Sequence, residues 1–187
     1  MICQSLFYNH LSLGPTSRYH LIAGAASAGW GQVEIHVPEG RGDNAAISAV
    51  AATKNVGGKS KPEEVITFPM DDHLANMRRH RSVPAGGLKG IKIDTQGHEF
   101  YVIKGLNHTL AAAQQLVVFA ENAVELTEAA GVKPSEVYSY MRGHGFRGYC
   151  EVDIEVSERD GKEVITASGT EETGNDIECK DIIWVKV

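Results

Sequence analysis

Hydrophobic positions along the chain change their period several times, and each change predicts an element. The clearest change begins at Leu88, where Leu88, Ile91 and Ile93 form a short apolar run that ends at Asp94, and Gly97 then frees the backbone for a sharp turn. Beyond the turn Phe100, Ile103, Leu106, Leu110 and Ala113 recur every three or four residues. That stripe predicts a helix of about 14 residues, with Glu99 in the first turn where the helix dipole favours an anion. A second apolar run, Leu116 to Ala120, stops at Glu121. Strand, helix and strand in this order predict a βαβ unit of a parallel sheet, whose ligands lie in the crevice outside the carboxyl ends of the strands. Asp94 and Glu121 would both stand on that rim.

The flanking pattern extends the α/β reading in both directions. Ile2 to Leu13 carries Leu6, Phe7, His10 and Leu11 at helical spacing and stops at Gly14-Pro15. Tyr19 to Ala26 is apolar and short, Gly29-Trp30-Gly31 makes a turn, and Val33, Ile35 and Val37 alternate with Glu34 and His36, which predicts a hairpin. Positions 38–62 are rich in small and polar residues and predict a long surface loop with a brief element over 47–52. Val65 to Phe68 reads as a strand, followed by a short helix around Leu74 and Met77 that Asp71 or Asp72 would cap. After Glu121 comes a polar helix or loop. Pro134 then opens a helix with Val137, Tyr140 and Met141 on one face and Gly143 or Gly145 at its end. Val152, Ile154 and Val156 alternate with polar residues, Asp160-Gly161 supplies a hairpin turn, and Val164 to Ala167 starts back. An acidic loop through Glu171, Glu172, Asp176 and Glu178 precedes a strand from Ile182 to Val187, so the last strands are expected to be antiparallel.

Composition narrows the function classes. With 187 residues, of which 42% are hydrophobic, the chain is long enough to bury a core and falls within the size of one domain. A net charge of -6 argues against nucleic acid as the main partner, because phosphate binding needs a basic face. The basic cluster Arg78, Arg79, His80 and Arg81 reads as a solvated helix end. Cys3, Cys150 and Cys179 are odd in number, widely spaced and without a C-x-x-C pair, so neither a disulfide framework nor a zinc site is expected, and a reducing, cytoplasmic setting fits. The first residues lack the marks of a signal peptide, and no window reaches about 18 apolar residues, so a soluble protein without a membrane span is expected. Gly58-Lys59-Ser60 resembles the end of a phosphate loop, but Thr53 stands where the first glycine belongs and Pro62 interrupts the helix that should follow. Arg41-Gly42-Asp43 and the sequon Asn107-His108-Thr109 lack any supporting secretion signal.

The segment I-K-I-D-T-Q-G-H-E-F-Y-V-I-K-G over 91–105 resembles the signature of FkbM-type methyltransferases. Lys92, Asp94, Gly97, Glu99, Lys104 and Gly105 match it, and Gln96 stands where a glutamate is more usual. A weaker similarity runs through Val65 to Leu74 and on to the strand Asp181 to Val187. The resemblance implies a Rossmann-like class I methyltransferase sheet with antiparallel C-terminal strands in a single domain over 1–187, and S-adenosylmethionine as cofactor. It also implies methyl transfer to a hydroxyl oxygen of a small molecule, glycan or lipid. The family's glycine-rich loop after its first strand, and the acidic residue that ends its second, have no counterpart in this sequence. The resemblance therefore implies an incomplete sheet without the N-terminal strand-turn-helix, and it identifies no cofactor-binding residues. A truncated gene model, a fragment and a protein that has lost methyl transfer all stay open. The competing reading is a non-catalytic interaction module, with an exposed sheet edge that would pair copies into a homo-oligomer.

Within the motif Asp94 and Glu99 are the first candidates for catalysis, and His98 joins them because it titrates near neutral pH. Asp94 would orient the acceptor or take its proton, or else bond to backbone amides of the turn; Glu99 would be catalytic or stabilise the helix start. Gln96, Glu121 and Asn122 are the candidates for binding substrate. Asp94, His98, Glu99 and Glu121 are donors that suit a hard cation, but their spacing is no recognised metal motif and no metal is expected.

Overall fold

The computed structural model describes residues 22–39, 45–47, 59–79, 87–159, 162–172 and 179–186. The helix expected over Ile2 to Leu13, most of the element expected over 47–52, the Arg41-Gly42-Asp43 tripeptide and the Asp160-Gly161 turn lie outside these residues. The described strands are β1 (Ala25–Ala26), β2 (Gly31–Pro38), β3 (Ser60–Phe68), β4 (Gly90–Ile93), β5 (Leu116–Glu121), β6 (Arg147–Tyr149), β7 (Asp153–Arg159), β8 (Lys162–Ser168) and β9 (Asp181–Lys186). The helices are α1 (Met70–Arg79), α2 (Glu99–Lys104), α3 (Asn107–Ala112), α4 (Val124–Ala129) and α5 (Pro134–Gly143).

The larger sheet has the order β4-β5-β9-β6. β4 runs parallel to β5, as the βαβ pattern predicts, and β9 is antiparallel to both β5 and β6. Side chains alternate across this sheet as a pleat requires. On one face Ile91, Ile93, Leu116, Val118, Ala120, Ile182 and Trp184 pack against Phe146 and against Ile103, Leu106 and Leu110 of the α2 and α3 region and Tyr138 and Met141 of α5. On the other, Val117, Tyr149 and Val185 meet Ile165 of the β7–β8 hairpin. Continuous apolar character in β5 follows from this two-sided cover. Phe119 points to the hairpin face and is 43% exposed, beyond the reach of that cover.

Three expectations are corrected. The first concerns the predicted hairpin from Tyr19 to Val37: β1 and β2 do not pair with each other, because β3 lies between them in the order β1-β3-β2. The reason is length. β3 begins at Ser60 rather than Val65, so it offers β2 an eight-residue antiparallel register, while the two residues of β1 run parallel to Thr67 and Phe68. Pro62 sits in the part of β3 that, among the described strands, pairs with β2 alone, where a missing donor leaves the ladder intact.

The second concerns the long helix after Glu99, which is two short helices. Its stripe is buried as expected, with Phe100, Ile103, Leu106 and Leu110 all at most 4% exposed. The break falls at Gly105, which packs directly on the Ser27 carbonyl and Pro69. Asp71 does not cap its own helix. Its carboxylate accepts from the backbone amides of His108 (2.6 Å) and Thr109 (2.9 Å) and so satisfies the open end of α3 from another element. Asp71→Ala is expected to cost about 1 kcal/mol and to lower the melting temperature by about 2–4 °C, measured by circular dichroism.

The third concerns cysteine. Cys150, just past β6, is bonded to Cys179, just before β9. Counting and spacing miss this pair because strand order, not sequence spacing, brings them together: β6 and β9 are neighbours in the sheet, although the two cysteines are 29 positions apart in sequence.

Candidate functional site

The turn that follows β4 is built by two consecutive left-handed residues. Gln96 has φ 53° and Gly97 φ 96°, so the chain reverses within two residues and delivers Glu99 to the start of α2. Gly97 also approaches Leu126 of α4 closely; a Cβ there would lie 2.8 Å from the Leu126 carbonyl oxygen. Glycine is required at this position on both counts.

Glu99 is 4% exposed. One carboxylate oxygen accepts from the Thr95 amide (2.8 Å) and hydroxyl (3.1 Å), and the other from the Gly97 amide (2.9 Å). The Thr95 and Gly97 amides would otherwise be open donors in a dry turn, so this carboxylate is the clasp of the turn. Asp94 stands above it, half exposed and paired with Lys92 at 3.3 Å.

Gln96 joins the two strand ends. Its side-chain nitrogen donates to Asp94 Oδ1 (3.1 Å) and to Glu121 Oε2 (2.9 Å). Asp94, Gln96 and Glu121 thus form one hydrogen-bonded set across the carboxyl ends of β4 and β5, the rim that the βαβ pattern indicated. Burial pushes the Glu121 carboxyl above the usual carboxylate range, and the negative charges of Glu99, Asp94 and Asp181 add to the rise against the opposing charge of Lys180. Asp181 is the register partner of Glu121 across β5 and β9.

Asn122 and His98 stand apart from this set. The Asn122 side-chain amide donates to the Cys179 carbonyl at 2.9 Å, and its backbone amide donates to the Lys180 carbonyl at 2.7 Å. It fastens the entry of β9 to the end of β5. The His98 ring shares a hydrogen bond with the Ser27 hydroxyl at 3.0 Å and stacks on Tyr101, with centroids 4.6 Å apart. Burial lowers its pKa and favours the neutral ring at neutral pH. No hydrogen bond or ion pair among the described residues joins His98 to Asp94, Glu99 or Glu121.

Beneath the rim lies a cavity of about 20 Å³, room for one water molecule, between α2, α4, α5 and the sheet. Glu99, Glu121, Asn122, Thr127 and Tyr138 contribute its polar lining. Tyr138 is 3% exposed, packs edge-on against Trp184 and leaves its hydroxyl without a partner among the described residues. The apolar face that Val137, Tyr140 and Met141 predict for α5 does not include Tyr138. The signal available was its four-residue spacing from Pro134 and three-residue spacing to the fully buried Met141.

Among the described residues no helix is long and apolar enough to cross a membrane, and no group of three or more His, Cys, Asp and Glu side chains is placed to hold a metal ion. Neither the curated proteins nor the solved structures yield a match to this chain. A sequence model of the methyltransferase FkbM domain matches residues 3–147, which takes in both sheets up to β6 and leaves the β7–β8 hairpin and β9 outside. With the matched span covering the signature turn and both strand ends that carry the rim, the chain belongs to the FkbM methyltransferase domain family.

Proposed function

We propose that this chain is a soluble, single-domain methyltransferase over 1–187 with a Rossmann-like class I sheet, using S-adenosylmethionine to methylate a hydroxyl of a small molecule, glycan or lipid. The observation that carries the reading is the Asp94-Gln96-Glu121 set at the ends of two parallel strands in a chain of this family. The two rim carboxylates suit a ligand that is both cationic and rich in hydroxyls, so their chemistry fits that cofactor. When bound, its sulfonium would present a methyl group as an electrophile. The protein's part is to align the acceptor, exclude water and receive a proton. Asp94, the exposed member, orients the incoming group. Glu99 acts through the turn it clasps, Asn122 through the β9 entry it holds, and His98 through the joint it makes with Ser27.

Calorimetric titration of the folded chain with S-adenosylmethionine tests this reading. Saturable micromolar binding is expected, and Asp94→Ala should lower transfer about 10²-fold with an unchanged melting temperature. Absence of heat from a folded sample would remove the enzyme assignment. The compartment turns on the Cys150–Cys179 bridge: disulfides persist in oxidising settings, so a bridge retained in cells would displace the cytoplasmic expectation.

A second reading, a non-catalytic interaction module, is favoured by one feature. β4 is an edge of the larger sheet, and its outer side pairs with no strand among the described residues. An open edge accepts another strand, including one from a second copy. Light scattering on the eluting protein decides: a stable monomer argues against pairing through β4.

A further inference from the structure

We infer that Glu121 is the carboxylate that takes the acceptor's proton, and that Gln96 is the positioning residue that holds it for that task. The inference rests on the methyl-transfer reading and sharpens it by distinguishing among carboxylates that the motif alone leaves equivalent.

The distinction is geometric. Glu99 has both oxygens committed to Thr95 and Gly97, in a turn that needs them. Asp94 is half exposed, with Oδ2 on Lys92 and Oδ1 on Gln96, so it is solvated and neutralised. Glu121 is tied through Oε2 alone, and Oε1 has no bonding partner among the described residues. It is also partly withdrawn from water on the cavity side. A carboxylate with one anchored and one open oxygen, drawn out of solvent and set near Glu99, Asp94 and Asp181 with Lys180 opposing, is placed to take a proton.

Gln96 makes this arrangement possible. Its one amide nitrogen gives a proton to each of two carboxylates that would otherwise repel across the rim. That double donation is reached from a left-handed backbone, which a side chain other than glycine rarely adopts and which marks a conformation held by its surroundings. Both amide protons are then occupied. Gln96 therefore acts through Glu121, in place of the substrate contact that its position on the rim suggested. In the reaction, the acceptor's O–H proton passes to Oε1 of Glu121 and the oxygen's electron pair forms the new bond to the methyl carbon. The carbon–sulfur pair stays with sulfur as a neutral thioether.

The test is a carbon-13 titration of the Glu121 carboxyl in the wild type, Gln96→Gly and Gln96→Glu, with Glu121→Gln identifying the signal. Glycine suits the left-handed backbone, so Gln96→Gly removes the amide while sparing the turn. Losing one donor to the ionised form should raise the Glu121 midpoint by about half to one pH unit. Gln96→Glu adds a charge and should raise it further. An unchanged midpoint in Gln96→Gly would overturn the role of Gln96. With labelled S-adenosylmethionine and a panel of simple alcohols and sugars, the acid limb of transfer should move to higher pH with the midpoint, and Glu121→Gln should lose the limb together with at least 10²-fold in rate. A limb that stays in place while the midpoint moves would remove Glu121 as the base. Failure of the wild type to methylate any acceptor would overturn the methyl-transfer reading, while the titration still judges Gln96.

Discussion

Glu99→Ala is expected to unfold the turn that carries the site, at a cost of about 3 kcal/mol or more, because the change strips a buried acceptor from two amides and a hydroxyl at once. For a chain of this length that corresponds to a fall of about 6–12 °C in melting temperature. The comparison that gives the result meaning is Asp94→Ala. Asp94 is half exposed and its ion pair with Lys92 lies at the surface, so its removal should move the melting temperature by no more than about 2 °C. If Glu99→Ala melts like the wild type and loses only transfer, Glu99 is a catalytic group and the clasp assignment is wrong. Glu99→Gln keeps one acceptor but sets an NH₂ group against an amide donor, and should fall between the two.

Gly105→Ala is the second large effect, expected to cost about 3 kcal/mol. The residue has ordinary helical dihedrals, so the penalty does not come from its φ. It comes from contact: an added Cβ would be driven into the Ser27 carbonyl and would lie 3.3 Å from Pro69 Cα, and both are backbone atoms that cannot rotate away. The Gly105 carbonyl also accepts from the Asp71 amide at 2.9 Å. This point therefore joins the β1-β3-β2 sheet, α1 and the α2–α3 pair. Thermal unfolding of the variant should lose stability without any change in the Glu121 titration, since no member of the rim set touches Gly105. Wild-type stability would mean that the two sheets adjust to each other more freely than this contact allows.

Much of this architecture was legible in the residues, and the failures share a cause. Periodicity located β4, β5 and α5 because their apolar faces are local records of burial: Ile91 and Ile93, Leu116 to Ala120, and Val137 with Met141 each repeat within one element. The sharp turn at Gly97 was equally visible, since only a permissive backbone follows an apolar strand so abruptly. What the pattern does not record is which elements meet. The wrong hairpin partner for β2, the break at Gly105 and the Cys150–Cys179 pair all depend on neighbours distant in sequence. The same limit governs the rim. Asp94 and Glu121 were placed together by the βαβ rule, whereas the clasping role of Glu99, the bridge made by Gln96 and the commitment of His98 to Ser27 depend on hydrogen bonds. Residue types alone leave those bonds undetermined.

The disulfide sets how the chain is threaded. β9 lies between β5 and β6 although it follows them both in sequence, and the β7–β8 hairpin is the detour that takes the chain out and back. With Cys150 bonded to Cys179 that detour is a closed ring hanging from the sheet. A single cut anywhere between the two cysteines would therefore leave β9 covalently attached, and a foreign segment spliced into the ring would not have to pass through the sheet for the strands to assemble.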